Sequence, residues 1–175
     1  MKIKNLKPNE ILTTKDFPVH NPHILKIYFS ICKKGHKNIL PPTPVIPLSI
    51  GQPLLDNKSK KAKEYNDRIK TFIKKKKVKY LMLDGSHKTT ALALNHNKIN
   101  SVIFEKDADI KEFADLVHTG EVFSLSTKET IRDSLLEMAN HFKDAKFFES
   151  IEDKTKRMVK ENVIPLYMIK HYKRK

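Results

Sequence analysis

Residues 79–94 read KYLMLDGSHKTTALAL: an apolar run stops at Asp84-Gly85, and a helix-like sequence starts at Ser86 with no linker between them. The chain has only four glycines, and one of them stands at this junction. VKYLML, rich in apolar residues, is expected to be a buried strand ending at Asp84-Gly85. Ala91, Leu92 and Leu94 continue the following helix, and NSVIFE supplies a further strand near Ser101 to Phe104. The local order is therefore strand, turn, helix, strand.

The flanking sequence extends this unit on both sides. KIKNL alternates as a short strand does and is closed by Pro8. NPHILKIYFSICKKG places Asn21 as N-cap, Pro22 at the first helical position and Gly35 as the stop, with Ile24, Ile27, Tyr28 and Ile31 predicted as the apolar face. A proline-rich approach leads to a strand around Val45 to Ile50, in which Pro47 requires an edge, a bulge or a strand end. Residues 51–58 read as a loop. The next helix carries Ala62, Tyr65, Ile69, Phe72 and Ile73 on one stripe and almost nothing but lysine on the other.

Beyond Phe104 the spacing is helical. Asp109 is the expected cap of a helix with Ile110, Phe113 and Val117 on one side and Gly120 at its end. Ser126 and Glu129 have capping-box spacing for another, lined by Ile131, Leu135, Met138 and Phe142, and one more helix is expected before Pro165. Strands mixed with helices, the latter concentrated toward the C-terminus, predict an α+β fold.

At 175 residues the chain suits one domain with its own core. The longest apolar runs fall far short of the ~20 residues that cross a bilayer, and the N-terminus lacks a signal-peptide pattern, so a cytoplasmic protein with no membrane partner is expected. The single cysteine, Cys32, excludes an intrachain disulfide and reads as a small core residue. No H-x-x-x-H pair with a third ligand nearby suggests zinc, and no GxSxG elbow suggests a hydrolase.

The net charge of +15 invites nucleic acid or phosphorylated ligands. It is local: between Lys58 and Lys79 eleven cations face only Glu64 and Asp67. Only four of the 35 cations are arginine, the residue that base reading favours. Nucleic acid is thus a candidate partner through the lysine-rich segment, with a solvated helix face as the plainer explanation.

A strand that passes through glycine into a helix presents backbone N–H groups and the positive end of the helix dipole to an anion. Ser86, Thr89 and Thr90 add hydroxyls, His87 a ring and Lys88 a charge, while Asp84 suits a Mg²⁺ that bridges phosphates. The same residues also make a plain turn with Ser86 as N-cap. Neither GxxxxGK[ST] nor GxGxxG is present.

YLMLDGSHKTTALAL followed by INSVIFE resembles the core of the ParB/sulfiredoxin superfamily, whose members carry a DGHHR-type sequence at this turn and bind a nucleotide there. The likeness spans roughly residues 3–105 and includes the Ser30-Ile31 step and the proline-rich entry to VIPLSI. LKPNE and IKEFADLVHTGEVFSLST further resemble the free-serine kinases of the superfamily, carrying the likeness to about residue 130. The resemblance implies a mixed sheet with flanking helices, a nucleotide-binding core at 1–107 with a lysine-rich helical insertion at about 52–77, and a helical extension at 108–175 packed on the same domain.

It also implies ATP or ADP with Mg²⁺, transfer of a phosphoryl group to a small hydroxyl compound such as free L-serine, Glu10 as catalytic base, and Asp84 as catalytic and metal-binding residue. Gly85, Ser86, His87, Lys88 and Thr89 would bind nucleotide, and Ser30 and Thr127 are candidate acceptor contacts. Lys88 stands where the family has arginine, Ser86 where sulfiredoxins have cysteine, and Glu129 and Thr130 where the kinases have an Arg-His pair. A ParB-like nucleotide- or DNA-binding module without kinase activity is the alternative.

Overall fold

The computed structural model describes residues 1–13, 21–120, 122, 125 and 127–174. Among these residues five strands form one mixed sheet: β1 (Lys2–Leu6), β2 (Ile11–Leu12), β3 (Thr43–Pro47), β4 (Tyr80–Met82) and β5 (Ile99–Ile103), in the order β1-β5-β3-β4-β2. β3 runs parallel to β5 and antiparallel to β4. β1 is antiparallel to β5, and β2 is parallel to β4. In a flat sheet the outer strands β1 and β2 would stand about 19 Å apart. Only Lys7–Glu10 join them, and Pro8–Glu10 form a 3₁₀ turn that rises about 2 Å per residue, so the sheet must curl to bring its edges together.

Among the described residues seven α-helices flank this sheet: α1 (Pro22–Lys33), α2 (Lys60–Lys76), α3 (Ser86–Leu94), α4 (Asp107–His118), α5 (Ile131–Phe142), α6 (Ile151–Lys160) and α7 (Leu166–Lys173). Alternation along the strands feeds two cores. Val45, Met82 and Ile103 pack with Leu25 and Phe29 of α1, Ala91–Leu94 of α3, and Ile151, Met158 and Met168 of α6 and α7. Ile46, Leu81 and Val102 pack with Tyr65 and Ile69 of α2, Phe113 of α4 and Leu135 of α5. The result is a three-layer mixed α+β fold, as the strand and helix pattern predicts.

Several local expectations need correction. On α1 the buried residues are Leu25, Phe29 and Cys32, while Ile24 and Ile27 are 39% and 60% exposed. Tyr28 and Ile31 of the predicted face are half-buried against the core, but packing against α3 and α7 centres the buried stripe on Leu25, Phe29 and Cys32 instead of Ile24 and Ile27. β3 starts two residues earlier than predicted and is the middle strand; Pro47 is tolerated at its end. Asp109 lies in the first turn of α4 rather than at its cap, reaching back to accept from the N–H groups of Glu105 (2.8 Å) and Lys106 (3.1 Å).

α5 begins at Ile131, capped by Thr130, whose hydroxyl accepts from Asp133 N–H. The predicted cap Ser126 lies outside the described residues. Strand β2 and helix α7, which follows Pro165, were not foreseen. The Asn21 cap, the α2 stripe and the buried, free Cys32, its thiol pushed up to about 11 by burial, agree with the sequence reading; the Ser59 hydroxyl, which accepts from Ala62 N–H, caps α2.

Candidate functional site at the start of α3

β4 runs into Asp84-Gly85, where the backbone turns. Gly85 takes φ +98° and ψ 30°, the left-handed region that glycine enters without a Cβ penalty. A Cβ built there would stand 3.2 Å from Lys88 Cε and 3.6 Å from Thr43 Oγ1, so the position is closely surrounded as well. The Gly85 N–H donates to Asp84 Oδ1 at 2.5 Å, which fixes the carboxylate beside the turn. Among the described residues no side chain caps α3, and none is recorded accepting from the amides of its first turn.

α1 begins beside α3. The Asn21 N–H donates to His87 Nε2 at 3.1 Å, and Asn21 Oδ1 in turn accepts from the N–H groups of His23 and Ile24. Two positive helix ends therefore meet at one place. From the other side Lys154 of α6, wholly buried, donates to Ser86 Oγ at 2.6 Å.

Two buried hydroxyls near this junction stand out. Thr43, at the start of β3, is fully buried beside Gly85, yet its Oγ1 has no hydrogen-bond partner among the described residues. Thr13 Oγ1 is in the same condition. Thr13 directly follows β2, whose Leu12 pairs with Leu81, so it comes level with Met82 on the approach to the turn. An unpaired buried hydroxyl costs about 1–3 kcal/mol, so Thr43 and the start of α3 together leave hydrogen-bonding capacity unused at one place.

Other predicted ligands are engaged elsewhere. Thr89 Oγ1 donates to Gly85 O (2.9 Å) and Thr90 Oγ1 to Ser86 O (2.7 Å), both bonding back along their own helix. Lys88 Nζ donates to the carbonyls of Pro41 (2.6 Å) and Pro42 (3.1 Å), clamping the proline-rich approach onto α3. Burial lowers its pKa to about 8, against the opposing pull of Asp84. The charge of Asp84 also adds to the effect of burial in raising the Tyr28 phenol, so that ring is a neighbour of the turn.

Glu10 is not at this junction. Its backbone carbonyl accepts from Lys79 N–H (2.7 Å) and its Oε1 from Lys79 Nζ (2.7 Å), which sets it at the N-terminal end of β4. Asp84 follows the other end, five residues on, or about 16 Å along an extended strand. The preceding Lys7, Pro8 and Asn9 share a hollow with Ala93, His96 and Asn97, at the far end of α3 from Gly85. Hydrogen bonds from Lys79 and from the Lys7 N–H hold the Glu10 carboxyl below its ordinary pKa. The parallel pairing of β2 with β4 decides this placement, and the KPNE spacing could not show it.

Ser30 is exposed in the last turns of α1, about 13 Å along the axis from Asn21. Thr127 Oγ1 bonds Ser134 Oγ (2.7 Å) against α5, whose core residues lie on the opposite face of the sheet from α3. The structure thus gathers Asp84, Gly85, Ser86 and His87 and leaves Glu10, Ser30 and Thr127 apart. It adds Thr13, Thr43, Asn21 and Lys154. None of these four has a sequence signal for ligand binding: Thr13 falls in no predicted element, Thr43 in the proline-rich approach to β3, Asn21 reads as a helix cap and Lys154 as one lysine of a helix.

Asp84 keeps one carboxylate oxygen beyond its bond to Gly85, enough for a Mg²⁺ held mainly by water and phosphate. Among the described residues no three His, Cys, Asp or Glu side chains cluster as an all-protein metal site. No helix of the described residues is long and apolar enough to cross a membrane. No family model, curated protein or solved structure matches the chain.

Proposed function

We propose that this chain binds the phosphates of a nucleoside di- or triphosphate at the start of α3, in a ParB/sulfiredoxin-like arrangement. One observation carries the reading: the Thr43 hydroxyl, fully buried without a partner, stands beside the uncapped Gly85 turn. A phosphate oxygen there would accept from Thr43 and from the amides that open α3, with the α1 and α3 dipoles adding attraction. Gly85 admits the ligand where a Cβ would crowd Thr43 and Lys88. Mg²⁺, held through the open Asp84 oxygen, would neutralise phosphate charge.

Phosphoryl transfer to a small hydroxyl compound, free L-serine first among them, is the second reading, and Asp84 is the observation that favours it. Its carboxylate is fixed at the turn, whereas Glu10 lies about a strand length away. If transfer occurs, Asp84 rather than Glu10 is the acid placed to orient the acceptor or the metal.

Calorimetry with ATP and ADP in the presence of Mg²⁺ tests the binding reading. One equivalent is expected to bind, and Gly85→Ala is expected to weaken it at least tenfold; no uptake by the wild-type chain refutes it. Incubation of the same mixtures with free serine, followed by assay for phosphoserine, separates a kinase from a binding module.

A further inference from the structure

We infer that the outer face of α2 is a sequence-independent docking surface for the phosphate backbone of duplex DNA. α2 turns Ala62, Tyr65 and Ile69 into the core. Tyr65 and Phe72 both pack on Phe148, with ring centroids 5.9 and 5.8 Å apart, which anchors the helix along its length. Arg68 is part of that anchor, lying 5.5 Å over the Phe148 ring and donating to the Ala145 carbonyl.

The opposite face carries charge in an ordered row. Lys60, Lys63, Lys70 and Lys74 recur at helical spacing within an arc of about 80°, and Lys77, the C-cap, ends the row, which extends over about 25 Å. All five are exposed, and none makes an ion pair among the described residues. The carboxylates that other elements bring to α2 serve lysines outside the row: Lys61 pairs with Asp144 (3.1 Å) and Lys76 with Asp153 (2.8 Å). Only Asp67 interrupts the row, and Glu64 flanks it.

The chemistry of the row selects its occupant. Duplex DNA carries one charge per about 1.7 Å of axis, so a 25 Å row faces a continuous line of phosphates and releases counterions along it. No aromatic side chain projects from this face, because Tyr65 and Phe72 are turned inward; single strands, which bind by base stacking, gain nothing from it. The face also lacks exposed apolar groups for insertion into lipid, since Ala62, Tyr65 and Ile69 are buried. Lysines as point charges on a rigid helix grip phosphate without reading bases.

Fluorescence anisotropy with a 30-base-pair duplex of mixed sequence, titrated between 50 and 200 mM NaCl, tests the surface. Five phosphate contacts predict a fall in affinity of about 500-fold over that range. Replacing the five row lysines together by glutamine is expected to lower the salt slope by about 4, while the circular-dichroism melt and nucleotide uptake at α3 stay unchanged. A control variant with Lys26→Gln and Lys33→Gln on α1 and Lys34→Gln at its C-cap, all exposed, is expected to change the slope by less than 1.

Wild-type chain that does not bind duplex at 50 mM salt overturns the inference. So does a five-lysine variant with the parental slope, a control variant that loses as much, tighter binding to oligo-dT, or equal retention on phosphatidylserine vesicles. Nucleotide binding is read separately, so either proposal can fail without the other.

Discussion

Thr43 is the residue at which function and stability are expected to oppose one another. Its buried hydroxyl has no partner in the folded chain, so Thr43→Val keeps the shape and removes a desolvated group. Denaturant titration is expected to show stability unchanged or raised by up to about 1 kcal/mol. Nucleotide affinity is expected to fall 5- to 10-fold. A variant that is stabilised and binds normally would show that the hydroxyl faces no ligand. Lys88 makes a different prediction, in pH. Its pKa of about 8 lies below the ordinary 10.5, so between these values the unfolded chain binds a proton that the folded one does not. The contribution of Lys88 to stability therefore rises with pH across that window. Compared with Lys88→Met, the wild-type chain is expected to gain roughly 1–3 kcal/mol from pH 8 to 10.5, read from paired denaturant titrations. Glu10 reverses the sign. Its lowered pKa supplies stability that is present above the ordinary carboxylate range and lost as the pH falls through the folded value. Glu10→Gln should lose this acid-side contribution yet leave nucleotide affinity and any phosphoryl transfer unaltered, because the carboxylate is occupied by Lys79 at the other end of β4.

At the scale of elements, the site depends on two helices starting together. Asn21 does two things with one residue: its side chain caps α1, and its N–H holds His87. Asn21→Ala is expected to cost about 1 kcal/mol, the usual effect of a lost cap. The backbone bond to His87 does not require the asparagine side chain, so nucleotide affinity should fall only as far as the start of α1 loosens; a calorimetric titration of the variant measures that. Gly85→Ala acts through φ instead, placing alanine in the left-handed region at a cost of about 1–2 kcal/mol. α2 shows the contrary case, an element whose inner face is fixed by Phe148 and whose outer face has no structural work to do.

At the scale of the molecule, the C-terminal helices are part of the core. Ile151, Met158, Val159, Met168 and Ile169 of α6 and α7 share one apolar cluster with Leu25, Phe29 and Ala91–Leu94. Leu12 makes a β-bridge to Ser150, and Thr13 N–H donates to Glu149 O at 3.1 Å, so β2 is itself tied to the start of α6. A chain truncated after Phe147 is therefore expected to lose cooperative unfolding, as a broad thermal transition would show, rather than persist as an independent nucleotide-binding core. It would also expose the face of α3 that Lys154 covers.

The sequence by itself determined the elements whose causes are local: the strand before Asp84, the glycine that turns it, the cap at Asn21, and the inner stripe of α2. Each follows from spacing or from one residue's conformational freedom, which neighbours along the chain suffice to set. Only tertiary structure decided that α1 would bury Leu25, Phe29 and Cys32 and leave Ile24 and Ile27 exposed, that β2 would pair in parallel with β4 and carry Glu10 away from the turn, and that Thr43 and Lys154 would lie against it. Strand register and helix docking are set by contacts between residues far apart in sequence, and a strand threonine looks the same in a sequence whether or not its hydroxyl finds a partner.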